Sequence, residues 1–137
     1  MTYILDSGFL YAALNDAEQQ HAAVVNILGS VRERIVFPVP AITEVAYLLM
    51  RESGAAAGAN FIADLATSPL TLENPLSEDY RRAAEIIRQY ADARVDFVDA
   101  IIMAIAERLN ITRVLTLDER DFRMFRPRHC AAFELLP

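Results

Sequence analysis

The chain has 137 residues, a formal net charge of −6 and a hydrophobic fraction of 54%. That length fits a single domain, residues 1–137, able to bury a core without covalent staples. One cysteine, Cys130, excludes an intramolecular disulfide, and with only His21 and His129 beside it the usual zinc ligand sets are out of reach.

No apolar run approaches the roughly 20 residues of a membrane span. The start, Met1-Thr2-Tyr3-Ile4-Leu5-Asp6, has no basic segment and meets an acid at once, unlike a signal peptide. A cytoplasmic protein is expected. The high apolar content suggests a surface that another chain covers. The acidic balance by itself counts against a nucleic-acid ligand. Two features offset it: carboxylates that hold a divalent cation are neutralised in their working form, and all 13 basic residues are Arg, which matches phosphate in a bidentate way.

Along the chain, Tyr3 to Leu5 predicts a short strand ending at Asp6. Ser7 is the expected N-cap of a helix through Leu14. A second helix is expected from Glu18 to Leu28, stopped by Gly29. Ile35 to Phe37 predicts a strand closed by Pro38 and Pro40, and Thr43 to Glu52 a helix with Val45, Leu48 and Leu49 inside. A small-residue helix follows over Ala55 to Ala66, then a strand over Leu70 to Leu72. Ser77 is the expected N-cap of a helix to about Tyr90. Asp96 to Leu109 is the most apolar helix, with Asn110 at its end. Val114-Leu115 and Ala132 to Leu135 complete the strands. Strands alternating with helices predict an α/β/α sandwich around a central, mainly parallel sheet.

Four acids occupy positions awkward for an acid. Asp6 ends the first strand. Glu44 sits among apolar residues at the expected start of the third helix. Asp99 interrupts the run Phe97-Val98-Ala100-Ile101-Ile102. Asp118 follows the Val114-Leu115 strand. Ligands of parallel sheets bind beyond the carboxyl ends of the strands, where Asp6 and Asp118 fall. Crowded buried carboxylates repel and lose solvation, and a divalent cation removes that cost. Oxygen ligands suit Mg²⁺, with Mn²⁺ as a substitute, and such a site can polarise phosphate and activate water. The plainer roles are Asp6 or Asp118 as helix caps and Asp99 paired with Arg94 or Arg108. Spacing alone leaves both sets open.

Three stretches carry a family resemblance: YILDSGFLYAAL at Tyr3 to Leu14, PAITEVAYLL at Pro40 to Leu49, and VDFVDAIIMAIAERLNITRVLTLDERDF at Val95 to Phe122. The tail RPRHCAAFELLP adds to it. Together they resemble a PIN domain, specifically the VapC toxins of bacterial toxin–antitoxin pairs, over nearly the whole chain. The resemblance places the family's four acids on Asp6, Glu44, Asp99 and Asp118, with Asp6, Asp99 and Asp118 as metal ligands. Ser7 matches a hydroxyl beside the first acid. Asp121, one turn after Asp118, is read as a helper, and Asp96 as a helper or a helix cap. The implied function is a Mg²⁺-dependent endoribonuclease acting on RNA and held inactive by an antitoxin. The implied assembly is a homodimer, or a heterotetramer or larger with the antitoxin.

The alternatives are an RNA-processing PIN nuclease outside such a pair and a non-catalytic binding module, against which the four intact acids argue. A phosphoaspartyl enzyme would want an acid at Gly8 or earlier, and a Lys that the chain lacks. Arg113, Arg120, Arg123, Arg126 and Arg128 crowd the last third, as a solvated face or as contacts to RNA phosphates or a partner. Met50 and Met103 are expected in the core. Phe9, Tyr11, Ala46, Tyr47 and Met50 are expected to line a groove for an antitoxin helix.

Overall fold

The computed structural model describes residues 1–137. Five strands, β1 (Thr2–Leu5), β2 (Arg34–Pro38), β3 (Thr71–Glu73), β4 (Arg113–Leu115) and β5 (Glu134–Leu136), form one sheet in the order β3-β2-β1-β4-β5. Every neighbouring pair is parallel. Seven helices connect them: α1 (Ser7–Leu14), α2 (His21–Ser30), α3 (Val39–Ser53), α4 (Ala55–Asp64), α5 (Ser77–Gln89), α6 (Phe97–Arg108) and α7 (Glu119–Met124). The expected α/β/α class holds, and the sheet is wholly parallel. The chain steps from β1 outward through β2 to β3, then returns to the other side of β1 for β4 and β5. Right-handed crossovers therefore carry α1 to α4 over one face and α5 to α7 over the other.

The core follows from the strand sequences. Ile4, Leu5, Val36, Phe37, Val114 and Leu115 are fully buried, as expected for strands covered on both faces. In α6, nine consecutive residues from Val98 to Ala106 are buried, so this helix is enclosed on all sides. Asn110 takes the left-handed conformation (φ 57°) just past its end, the terminating role expected of it.

Several boundaries differ from those expected. Asp6, not Ser7, caps α1: its carboxylate accepts from the Ser7 backbone N–H, and Ser7 is the first helical residue. Likewise Ser77 opens α5 rather than capping it. Asp79 reaches back to the Leu76 N–H at 2.8 Å. Helix α3 begins at Val39, four residues before the expected Thr43, because Pro40 sits in its first turn, where the missing N–H has no intrahelical partner to lose. Glu44 therefore lies in the second turn. Met103 is buried as expected, but Met50 is 49% exposed, packed over Gly58, where a Cβ would collide with its Cγ. Phe9 and Tyr11 are buried and line no surface groove.

The α5–α6 pair is held by ion pairs at the C-terminal end of α6, the end opposite Asp99. Arg108 Nε donates to both oxygens of buried Asp79 at 3.0 and 2.9 Å, and its Nη2 to Glu73 at 2.9 Å. Arg82 binds Glu107 through Nε and Nη2 at 2.7 and 3.1 Å. The Asp79→Ala substitution removes the cap on Leu76 and leaves Arg108 half paired. It is expected to cost about 2 kcal/mol, read as a lowered urea midpoint at unchanged m-value.

Candidate metal centre

The first acid is placed by strand register. Leu5 of β1 pairs with Leu115 of β4, which sets Asp6 level with Thr116. The Asp6 N–H donates to the Leu115 carbonyl at 2.9 Å. The Thr116 hydroxyl, fully buried, donates to Asp6 Oδ2 at 2.7 Å and accepts from the Asp118 N–H at 2.9 Å. One threonine thus ties the carboxylate after β1 to the loop that carries Asp118. The sequence reading missed it. Its signal was the hydroxyl two residues before the acid in Thr116-Leu117-Asp118.

On the opposite flank, the Ser7 backbone N–H donates to Asp6 Oδ1 at 2.7 Å, and the Ser7 hydroxyl donates to Glu44 Oε1. Glu44 comes into reach because β2 ends beside β1 and α3 starts at once. Asp96 caps α6, accepting from the Asp99 N–H at 2.8 Å, so of its two expected roles the cap is the one seen. This fixes Asp99 in the first turn of α6, pointing at the strand ends. Asp118 caps α7 and accepts from the Asp121 N–H at 3.4 Å.

One carboxylate oxygen each from Asp99, Asp118 and Asp121 lies within 4.8 Å of the others. Asp121 thus stands with two of the expected ligands, while Asp6 flanks them with both oxygens already accepting hydrogen bonds. Asp99 has no counterion: Arg108 binds Asp79 and Glu73 at the far end of α6, and Arg94 forms no ion pair. Arg120, 3.3 Å from Asp121, is the cation at the cluster.

The electrostatic consequence is large. Burial, then the charges of Asp6, Asp96 and Asp118, push the Asp99 carboxyl up to about 9. Burial pushes Asp6 up to about 6, opposed by the hydrogen bonds from Thr116 and Ser7 and helped by the charges of Asp118 and Glu44. An all-oxygen donor set with surplus negative charge fits a hard divalent cation, which would remove the repulsion. The Thr116→Val substitution keeps the shape and deletes the hydroxyl. It is expected to raise the Asp6 carboxyl above about 6 in an NMR titration, and to weaken metal binding by about tenfold or more, the usual cost of losing a group that orients a ligand.

A parallel α/β fold with carboxylates gathered where β1 and β4 diverge defines a class of oxygen-ligand metal proteins. The PIN domain family model matches residues 3–126. The chain is 31% identical to Ribonuclease VapC26 of Mycobacterium tuberculosis over 134 residues, 98% of this chain and 99% of that one. It belongs to the PIN-domain family, in its VapC branch.

Among solved structures, the fold is similar to that of M. tuberculosis VapC20, a toxin that cleaves the sarcin–ricin loop. The TM-score is 0.77 at 20% identity, over 82% of this chain and 86% of that one. VapBC2 of Rickettsia felis, bound to a promoter DNA fragment, matches with a TM-score of 0.73 at 15% identity over the whole of both chains. FitAcB of Neisseria gonorrhoeae matches at 0.72 and 19% identity, over 98% of this chain and 96% of that one.

Proposed function

We propose that this chain is a cytoplasmic endoribonuclease and the toxin of a toxin–antitoxin pair, its 137 residues acting as one PIN domain. It hydrolyses RNA phosphodiester bonds at the carboxylate centre with Mg²⁺, for which Mn²⁺ can substitute. The observation that carries the reading is Asp99. It is 8% exposed, faces three other carboxylates and has no cation of its own. Such a group is costly as an anion and serves no structural pairing, so its place in the fold is explained by a dication. The VapC26 relative bears the name of a ribonuclease over its full length.

In this reading Asp6, Asp99 and Asp118 hold the ion, and Asp121 adds a ligand beside them. The ion supplies charge to polarise a phosphate and to acidify water. Thr116 and Ser7 fix both oxygens of Asp6. Ser7 also holds Glu44 beside Asp6, where its carboxylate can accept a proton from the attacking water. No helix is long and apolar enough to cross a membrane. Large apolar side chains nonetheless stand exposed on α3 and α4, with Tyr47 62% and Ile62 52% exposed, and these suit a homodimer or an antitoxin helix.

The test is to sequence RNA ends after brief expression of the wild-type chain and of Asp99→Asn, and to repeat cleavage with purified protein in Mg²⁺ and in EDTA. New ends confined to the wild type, and cleavage confined to Mg²⁺, are expected. Full cleavage in excess EDTA would sink the metal mechanism.

A further inference from the structure

The structure sorts the crowded arginines of the last third into two groups. Arg113, at the start of β4, pairs with Glu134, and Arg128 pairs with Glu85, both remote from the carboxylates. Arg123 pairs with Glu119 one turn back on α7, while Arg120 and Arg126 gather at one corner with two arginines from elsewhere in the chain. Arg120 bridges the metal centre and the 3-10 turn Ala91–Ala93: its Nε donates to Asp121 Oδ1 at 3.3 Å and its Nη2 to the Ala93 carbonyl at 2.6 Å. Arg94 follows that turn in a left-handed conformation (φ 58°), exposed and without an ion pair. Arg126 is anchored through its backbone N–H to the Tyr90 hydroxyl at 3.1 Å, and its guanidinium meets only carbonyls. Arg88, also exposed and unpaired, lines a cavity of about 270 Å³ together with Tyr90, Ala93 and Met124.

We propose that Arg120, Arg94, Arg88 and Arg126 form a track for the phosphates of the RNA strand, running from the carboxylate centre over the 3-10 turn. Three of the four have no acid partner in a chain whose net charge is −6, and the fourth pairs only with a metal-site carboxylate. Unpaired cations concentrated beside an acidic centre solve a specific problem. The centre repels a polyanion, and the track supplies the attraction that brings the backbone to it. The guanidinium groups of Arg120 and Arg126 already rest on backbone carbonyls, so fewer of their rotamers freeze when phosphate binds. The inference rests on the ribonuclease reading above.

The experiment measures binding of a short fluorescein-labelled single-stranded RNA across a NaCl series in Mg²⁺. The parent is Asp99→Asn, so that the RNA stays intact. It is compared with Arg88→Gln/Arg94→Gln/Arg126→Gln in the same background. The control is Arg32→Gln/Arg34→Gln, exposed at the other end of the sheet. Three lost contacts should flatten the plot of log affinity against log salt by roughly 2 and weaken binding roughly a hundredfold at ~0.1 M salt. The control should match the parent, and circular dichroism should show all three folded. A triple variant with the parent's slope, or a parent that binds no RNA, overturns the track. Cleavage by the wild-type chain tests the nuclease reading separately, and cleavage with an unchanged slope would keep the enzyme and discard the track. An unchanged RNA slope with lost binding of poly-glutamate would overturn it in favour of an acidic protein segment.

Discussion

Asp99→Asn is expected to abolish RNA cleavage while making the metal-free protein more stable at alkaline pH. The loss of activity should be at least about a thousandfold, the scale of roughly 4 kcal/mol of transition-state stabilisation. The gain in stability has a separate origin. The folded chain holds the Asp99 carboxyl with its proton up to about 9, because burial and the charges of Asp6, Asp96 and Asp118 oppose ionisation. Above that pH the site must carry the charge uncompensated. Asparagine has nearly the same shape and no charge, and its amide can donate to Asp118 where the protonated carboxyl did. Thermal unfolding in EDTA should show the midpoint of the variant raised by several degrees at about pH 9, given roughly 4 °C per kcal/mol for a domain of this size. A variant that failed to fold, or melted lower at every pH, would assign Asp99 a structural role and remove the argument for a metal. Active protein with a raised midpoint would keep the electrostatics and discard Asp99 as a ligand.

The reasons one acid was visible in the sequence and another residue was not are physical. Asp6, Asp99 and Asp118 stand out because each interrupts or ends an apolar run, and burial of an acid is costly enough to need an explanation. Their convergence on one sheet edge follows from parallel topology, which sequence alternation announces. The hydroxyl of Thr116 two residues before Asp118 is a far weaker mark, since a threonine at a strand end is ordinary. Only the Leu5–Leu115 register shows that its hydroxyl meets Asp6. The start of α3 was obscured because Pro38 and Pro40 suit a strand end and a helix start equally well, and the choice depends on where β2 lies against β1. The arginines were indistinguishable in sequence because pairing is a tertiary property. Arg108, a candidate partner for Asp99, lies more than two helical turns further along α6, where Asp79 and Glu73 bind it. Buried Tyr11 and half-exposed Met50 show the same limit for apolar residues: periodicity gives a face but not what covers it.

Stabilisation of the wild-type chain by Mn²⁺ or Mg²⁺ is expected to grow with pH, and to vanish in EDTA. Without metal, Asp99 and Asp6 titrate near 9 and 6, both above the ordinary carboxylate value of 3.8. Between about pH 4 and these values the unfolded chain has released protons that the folded chain retains. Stability contributed by the two groups is therefore fully present below about pH 4 and falls as pH rises, through about 6 for Asp6 and about 9 for Asp99. A dication binds the deprotonated carboxylates and competes with those protons, so its affinity rises over the same window. At a concentration of about 100 times its dissociation constant it adds roughly 2.7 kcal/mol, which should be read as a clear upward shift in the unfolding midpoint. The shift at about pH 8.5 should exceed that at about pH 6 severalfold, and Asp99→Asn should flatten the difference, because the variant has lost the group whose proton the metal displaces. Equal shifts at both pH values would mean that the ion binds carboxylates already ionised at pH 6, such as exposed surface acids. In that case the buried cluster around Asp99 would not be the metal centre.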